Sequence, residues 1–240
     1  MTKVIVFSTF FLFVASAASQ EESTRNRAFT EGFYGNIGVV NGPAFADFFD
    51  FINDTYSVQF NNTVDKLDEF GSAVALSGGY LYRFYPNFAL DVGFSIYQLK
   101  SSGEIVNYNP ADSRSRLQHE LEYQVGIFSA TIPVLLDFSV RQPAIPYVGI
   151  GISFFAMRLD DFVNDGIRLD AYRDTGTSVS GHFEAGTLIR LTPKIWIDLK
   201  GRWYTGSGYL RAFEPPYRLT RFRIEHDISH LSAGVVYYFR

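Results

Sequence analysis

The sequence predicts an all-β fold, a single eight-stranded antiparallel up-and-down transmembrane β-barrel. Three observations predict it. Aromatic residues make up 17% of the chain and 20 residues are glycine, a mixture that favours strands over helices. Apolar and polar residues alternate with period two along most of the chain. Finally, the connections between the predicted strands alternate between long and short.

The alternation is clearest in the third predicted strand, residues 88–99. One face carries only apolar side chains, namely Phe88, Leu90, Val92, Phe94 and Ile96. The other face is mostly small or charged, with Ala89, Asp91, Gly93, Ser95 and Tyr97. Successive residues of a strand point to opposite faces, so each strand has one apolar face. Because a soluble sandwich would place large apolar side chains inside, we expect the apolar faces to contact lipid and the polar faces to line the lumen.

The connections fall into two kinds that alternate strictly. Short turns are predicted at 85–87, 141–145 and 192–194. Long polar loops are predicted at 41–69, 100–121, 159–177 and 206–226. In bacterial outer-membrane barrels the hairpins are tight on the periplasmic side and long on the outer side. We therefore expect residues 20–240 to form a barrel with four long external loops and both termini in the periplasm. A soluble eight-stranded barrel is the alternative, but it would not need four long loops at one end.

The N-terminal residues 1–19 have the layout of a secretory signal peptide. Lys3 precedes an apolar run over 4–14, and small residues follow over 15–19. Cleavage after Ala17 and after Ser19 both fit, and an N-terminal anchor is the alternative. The chain has no cysteine, which excludes disulfides and thiol chemistry. The formal net charge of -4 argues against a nucleic-acid partner. We expect export to the outer membrane.

Two further stretches carry a family pattern. Residues 132–136 (IPVLL) lead through a turn to 146–151 (PYVGIG), and the chain closes with the alternating segment 231–239 (LSAGVVYYF). With the N-terminal segment, these stretches resemble the small outer-membrane β-barrel proteins of the OmpA and OmpW type. The resemblance implies membrane lipid, lipopolysaccharide and the barrel-assembly machinery as partners, and a barrel domain alone. Family members typically end on an aromatic residue, whereas Phe239 is followed here by Arg240.

Charged residues recur on the polar faces of the predicted strands. They are Asp91, Asp137, His182, Glu184, Arg190, Asp198, Lys200 and Arg202. An eight-stranded barrel is only wide enough for side chains to fill it, and charges buried there must be paired. We therefore expect a structural ion-pair network in the lumen, with a selectivity lining or a proton path as the alternative. A three-residue turn at Pro193 to Ile195 would place Arg190 opposite Asp198. His182 and Glu184 are expected to form a hydrogen-bonded pair, and no metal or cofactor is expected.

Three other patterns bear on function. His230 and Ser232 share a strand face, as in an outer-membrane lipid A deacylase, but no Asp or Glu follows Ser232 to orient the histidine, so we expect no catalysis. Acidic residues in the third predicted loop suggest a calcium site, but Val163 occupies a position at which an EF-type loop needs a ligand. We therefore expect a solvated acidic loop there. Arginines of the fourth loop could meet lipopolysaccharide phosphates.

The first loop contains four phenylalanines, Phe45, Phe48, Phe49 and Phe51, which are unusual in a solvated loop. They predict a short helix or plug at the barrel mouth, or a surface for a ligand or partner. The preferred function is a structural, adhesive or envelope-stabilising role through the surface loops of a monomer. The second hypothesis is a narrow pore or carrier for small, hydrophobic solutes. The third is a lipid A-modifying enzyme.

Overall fold

Nine antiparallel strands and one helix follow one another in the computed structural model, which describes residues 31–41, 46–59, 67–106, 116–136, 143–164, 169–214 and 218–239. The strands are β1 (Glu31–Val40), β2 (Ala73–Tyr85), β3 (Phe88–Val106), β4 (Arg116–Leu135), β5 (Ala144–Asn164), β6 (Leu169–Arg190), β7 (Ile195–Glu214), β8 (Arg218–Glu225) and β9 (Ile228–Tyr238). Helix α1 spans Ala46–Gln59. None of the helical residues described forms a helix long and apolar enough to cross a membrane.

The sheet closes on itself as an eight-stranded ring, as predicted. Each strand from β1 to β7 pairs with the next one in the chain, and β9 pairs with β1 from Gly32↔Tyr238 to Val40↔His230. The eighth wall of the ring has two segments, because β9 pairs with the first half of β7 and β8 pairs with its second half. His226 lies between the two segments, where its backbone N–H bonds Gly206 O at 2.8 Å.

Large apolar side chains form a continuous band around the outside of the ring, which we call the apolar belt. Its members include Phe33, Ile37, Val39, Val74, Leu76, Val92, Phe94, Ile96, Phe128, Ile132, Ile150, Ile152, Phe154, Val179, Phe183, Leu199, Trp203, Leu231 and Val235, all exposed. On β3 the belt covers 88–96, the length that a tilted strand needs to cross the hydrocarbon core. Beyond it the outward residues turn polar, beginning with Gln98 and Lys100 on β3.

The strands continue far beyond the belt at the end away from the short turns. The predicted long loops at 100–121, 159–177 and 206–226 are therefore wrong as loops, since β3 runs to Val106, β6 starts at Leu169 and β7 runs to Glu214. Their backbone groups pair across extended antiparallel ladders. The period-two alternation of the sequence does continue in these ranges, for example at Leu117, His119 and Leu121. This alternation is the pattern that indicates strands there. Residues 97–106, 116–125, 157–164, 169–178, 205–214 and 218–225, together with α1, form the extramembrane section.

The interior is stacked in three layers. Next to the short turns lies an apolar cluster of Tyr34, Leu81, Ala89, Leu135, Ile145, Tyr147, Leu188, Trp196, Val236 and Tyr238. Charged side chains occupy the middle layer. The third layer, at the outer end of the belt and in the extramembrane section beyond it, is apolar again and contains Tyr123, Ile127, Phe155, Met157, Tyr204 and Leu210. The expectation of a polar lumen throughout is therefore wrong, because inward positions beyond the belt enclose an apolar core of their own.

Helix α1 completes that third layer. Phe48, Phe49, Ile52 and Tyr56 lie on its inward side and are at most 2% exposed. The Phe48 ring packs edge-on against Phe222 of β8, with 4.6 Å between ring centroids. The predicted helix within the first long connection, 41–69, is thus present, and Phe45 lies outside the described residues.

Candidate functional site

Five buried ionic side chains form one connected cluster in the middle layer, the charged network: Asp91, Glu184, Asp198, Lys200 and Arg202. Arg202 donates to Glu184 Oε2 from Nε at 3.0 Å and from Nη2 at 2.6 Å, and its Nη2 lies 3.3 Å from Asp91 Oδ2. Lys200 Nζ lies 3.0 Å from Asp91 Oδ2 and 3.3 Å from Asp198 Oδ2. The structure thus brings together these five of the predicted lumen residues.

Neutral donors complete the charged network, because its three carboxylates outnumber its two cations. Tyr34 Oη donates to Asp91 Oδ1 at 2.7 Å. Tyr147 Oη donates to Asp198 Oδ1 at 2.7 Å, and Asn36 Nδ2 donates to Asp198 Oδ2 at 3.2 Å. Sequence reasoning did not select these three residues. The place of Tyr147 on the polar face of its strand is a signal that could have found it.

Glycines of the wall make room for these side chains. A Cβ atom on Gly93 would lie 2.1 Å from the hydroxyl of Tyr34, and one on Gly151 would lie 2.6 Å from the imidazole of His182. Both distances are far below van der Waals contact. The interleaved glycines of the polar faces therefore hold space for large polar groups in a narrow barrel.

His182 lies above the charged network and bonds two hydroxyl groups. Its Nε2 lies 2.7 Å from Thr131 Oγ1 and its Nδ1 lies 2.8 Å from Ser153 Oγ. A neutral imidazole suits this arrangement, since it donates from one nitrogen and accepts at the other. The predicted hydrogen-bonded pair of His182 and Glu184 is wrong, because Glu184 bonds Arg202 instead.

The predicted lumen residue Arg190 does not join the charged network. Arg190 is exposed at the end of β6, pairs with Trp196 across the ladder, and has its guanidinium carbon 6.0 Å from the indole centroid. The predicted register was wrong by two residues, because Asp198 faces Leu188. The pairing of Arg190 with Trp196 centres the turn on Pro193, one residue before the predicted centre, and the N–H groups of residues 191 and 192 both bond Ile195 O. Asp137 lies outside the described residues.

The two residues of the possible catalytic motif both lie on the wall of the interior. His230 pairs with Arg202 and Ser232 pairs with Lys200 across the ladder. His230 Nε2 is buried and has no hydrogen-bond partner among the described residues. A serine nucleophile needs a hydrogen-bonded base, a role that Nε2 does not fill in this geometry.

Polar contacts hold α1 against the strands of the extramembrane section and against the segment that precedes β2. Tyr56 Oη lies 3.1 Å from His119 Nδ1, and His119 Nε2 lies 2.8 Å from Asp161 Oδ1. The Asn53 side chain makes two hydrogen bonds to the backbone of Leu67. Its Nδ2 donates to Leu67 O at 3.1 Å, and its Oδ1 accepts from the Leu67 N–H at 2.7 Å. The helix is therefore positioned by directional bonds as well as by packing.

The acidic pair of the predicted third loop is engaged by protein groups. Asp161 holds His119, and Asp160 bonds Arg158 at 2.6 Å and Arg173 at 2.5 Å. Burial acts to raise the pKa of Asp160, but the hydrogen bonds and charges of both arginines hold that pKa below its usual value. The expectation of a solvated acidic loop is wrong for these two residues, which are at most 4% exposed.

A closed antiparallel barrel with an apolar belt outside and paired charges inside is the architecture of a transmembrane β-barrel. Residues 6–239 match the family model described as outer membrane protein beta-barrel domain, and the chain belongs to that family. It is an outer-membrane protein.

The chain is also similar to solved structures, of which OprG supports the fold. OprG from Pseudomonas aeruginosa is 10% identical, with a TM-score of 0.55 over 88% of this chain and 97% of that one. Neisserial surface protein A is 16% identical, with a TM-score of 0.46 over 88% of this chain and 97% of that one. No curated protein sequence matches the chain.

Proposed function

We propose that this protein is a closed barrel that works at the cell surface through its extramembrane section, in an adhesive or envelope-stabilising role and without catalysis. The observation that carries the proposal is the filled interior. Trp196 in the first layer is 2% exposed, Glu184 in the charged network 0%, and Tyr123 in the third layer 0%. A water-filled channel would leave its lining side chains exposed, so three buried layers in series support an anchor and not a pore.

The extent of the extramembrane section also supports the proposal. Strands β3 to β8 continue about ten residues beyond the belt, where α1 and their inward side chains build a separate apolar core. A rigid scaffold that presents its surface outside the membrane is what an adhesive or envelope-stabilising protein requires.

Conductance in planar lipid bilayers tests the closed barrel. We expect the purified, folded protein to show no steady conductance, because every layer would have to open at once. A steady single-channel current would contradict the proposal.

A shortened protein tests the role of the extramembrane section. Ser207 and Glu225 face each other across the β7–β8 ladder, so residues 208–224 can be replaced by a two-residue Asn-Gly turn without breaking the belt. We expect cells that carry the shortened barrel to lose surface adhesion, or resistance to large antibiotics, to the same extent as cells without the protein. A heat-dependent shift in gel mobility controls for folding. Full complementation by the shortened barrel would contradict the proposal.

The apolar third layer favours a second candidate function, a carrier for small hydrophobic solutes. Such a carrier would need α1 to leave its place, since the helix fills this layer. The cysteine-free chain allows a direct test with the pair Phe48→Cys and Phe222→Cys, because a reducible cross-linker between the two thiols would tie α1 to β8. Loss of solute uptake on cross-linking, restored by reduction, would favour the carrier. Unchanged uptake would leave the closed barrel as the function.

A further inference from the structure

A groove of about 800 Å³ lies on the outer surface of the barrel, where the apolar belt meets the extramembrane section. It crosses strands β2 to β6. The side chains at its lower edge are apolar and belong to the belt, and those at its upper edge are polar. The groove therefore spans the level at which lipid headgroups meet acyl chains.

Three rows of the ladder explain how the sequence forms this groove. The lower row carries bulky side chains: Phe94, Phe128, Phe154 and Val179. The middle row carries small residues between larger ones: Ile96, Gly126, Ala156 and Thr177. The upper row carries hydrogen-bonding side chains: Gln98, Gln124, Arg158 and Thr175. Because Gly126 and Ala156 are the centre of the middle row, the surface is hollow there, and a Cβ atom on Gly126 would meet nothing within 4 Å.

The charges around the groove favour an anion. The next row above pairs Lys100 with Glu122 at 3.2 Å and Arg173 with Asp160. Each of the two carboxylates therefore has a cationic partner, and Glu122 also accepts a hydrogen bond from Gln124 at 2.7 Å. Within the upper row and the row above it, three side chains are positive (Lys100, Arg158 and Arg173) and two are negative (Glu122 and Asp160), which leaves one positive charge in excess. Arg158 uses one terminal nitrogen on Asp160 and keeps 37% of its side chain exposed.

We propose that this groove binds the lipid A part of a lipopolysaccharide molecule. A lipid A phosphate fits beside Arg158, and the sugar hydroxyls fit the amides and hydroxyls of the upper row. An acyl chain fits against the apolar edge of the groove, formed by Val74, Leu76 and Ile96. The groove lies at the end of the belt away from the short turns, which is the outer side in barrels of this kind. Lipopolysaccharide forms that leaflet, whereas a phospholipid headgroup would leave most of the polar row without partners.

Two substitutions test the site without touching the interior. Gly126→Leu fills the hollow, and Arg158→Gln removes the charge. Gly35→Leu is the matched control for the first, because Gly35 also faces outward with nothing within 4 Å of an added Cβ, but on β1 and outside the groove. Arg223→Gln is the control for the second, since Arg223 is an exposed arginine of β8. Heat-dependent gel mobility verifies that all four variants fold.

Native mass spectrometry in detergent, with added Kdo2-lipid A, gives the binding constant. We expect both groove variants to bind Kdo2-lipid A about tenfold more weakly. This is the loss expected for one charge-assisted hydrogen bond, or for apolar contacts of similar free energy. Both control variants should bind it as tightly as the unmodified protein does. Lipid A without phosphates should bind the unmodified protein as weakly as Kdo2-lipid A binds Arg158→Gln. Equal binding by all variants would overturn the proposal, and so would equal affinity for phosphatidylglycerol. The site goes beyond the proposed function, because it needs only the outer-membrane location and its readout is independent of conductance and adhesion.

Discussion

Arg202 and Glu184 face each other on adjacent strands in the middle of the barrel, and the guanidinium places two hydrogen bonds, of 3.0 and 2.6 Å, on one carboxylate oxygen. Glu184 is completely buried and Arg202 is 4% exposed. The same guanidinium reaches Asp91 on the opposite wall and donates from Nη1 to Ser129 Oγ at 2.9 Å. Arg202 therefore joins distant strands of the ring through one side chain.

Removing this guanidinium should destabilise the barrel. Arg202→Met leaves Glu184 as a buried charge without its main partner, which costs about 3–5 kcal/mol. The free energy of unfolding in urea, measured in lipid vesicles, checks this. The double variant Arg202→Met with Glu184→Leu should recover much of the loss, since it removes the uncompensated charge as well. An unfolding free energy for Arg202→Met equal to that of the unmodified protein would refute the structural role of the charged network.

Helix α1 should depend on its inward phenylalanines. Phe48→Ala empties a buried position against Phe222 and should cost about 3–5 kcal/mol of the local stability of the extramembrane section. Val58→Ala is the matched control on the same helix, because Val58 is 79% exposed, and its effect should stay within about 0.5 kcal/mol. Hydrogen exchange of the α1 amides reports this local stability. Equal exchange rates in the two variants would show that α1 is not held by its packing.

The stability of the protein should fall in mildly acidic solution, partly because of His226. This residue lies above the belt, is buried, stacks on Phe155 with 4.5 Å between ring centroids, and bonds Ser178 Oγ at 2.7 Å. Burial lowers its pKa from 6.5 to about 4. The unfolded chain therefore binds a proton that the folded protein does not, so this contribution is fully present above pH 6.5 and is lost as the pH falls toward 4.

His226→Gln isolates this effect, since glutamine can keep a hydrogen bond but does not titrate. Between pH 6.5 and pH 4 the unmodified protein should lose about 1–3 kcal/mol more unfolding free energy than the variant. Urea titrations at both pH values measure the difference. Parallel pH profiles for the two proteins would exclude His226 as a source of acid sensitivity.

The position of the apolar belt is tested by arginine substitutions on one strand. Val92 is 46% exposed near the middle of the belt on β3, and Val92→Arg should cost about 2–4 kcal/mol in a lipid bilayer. Ser102→Arg, on the same outward face of β3 but in the extramembrane section, should change the stability little. If the two substitutions had similar effects in lipid vesicles, the belt would be misplaced.

Much of the wall could be predicted from local sequence. Period-two alternation assigned the outward apolar residues of β3, and Pro86 with Asn87 marked a short turn that the structure retains. The interior partners could not be predicted in the same way. Asp91 meets Lys200 and Arg202, which are more than a hundred residues away in the chain, and Asp198 meets Asn36 and Tyr147.

The sequence by itself determined which face of each strand is apolar within the belt, how many walls the barrel has, and that a phenylalanine-rich segment is unusual for a solvated loop. Only the tertiary structure decided at which level along the barrel axis each inward residue lies, and therefore which inward residues meet. Alternation specifies a direction for each side chain, but the partner across the barrel depends on the register of every intervening ladder. A turn centred on Pro193, one residue earlier than predicted, was enough to separate Arg190 from Asp198. The same accumulated register places Gly126 and Ala156 side by side in the groove, and sets a charged layer between two apolar ones.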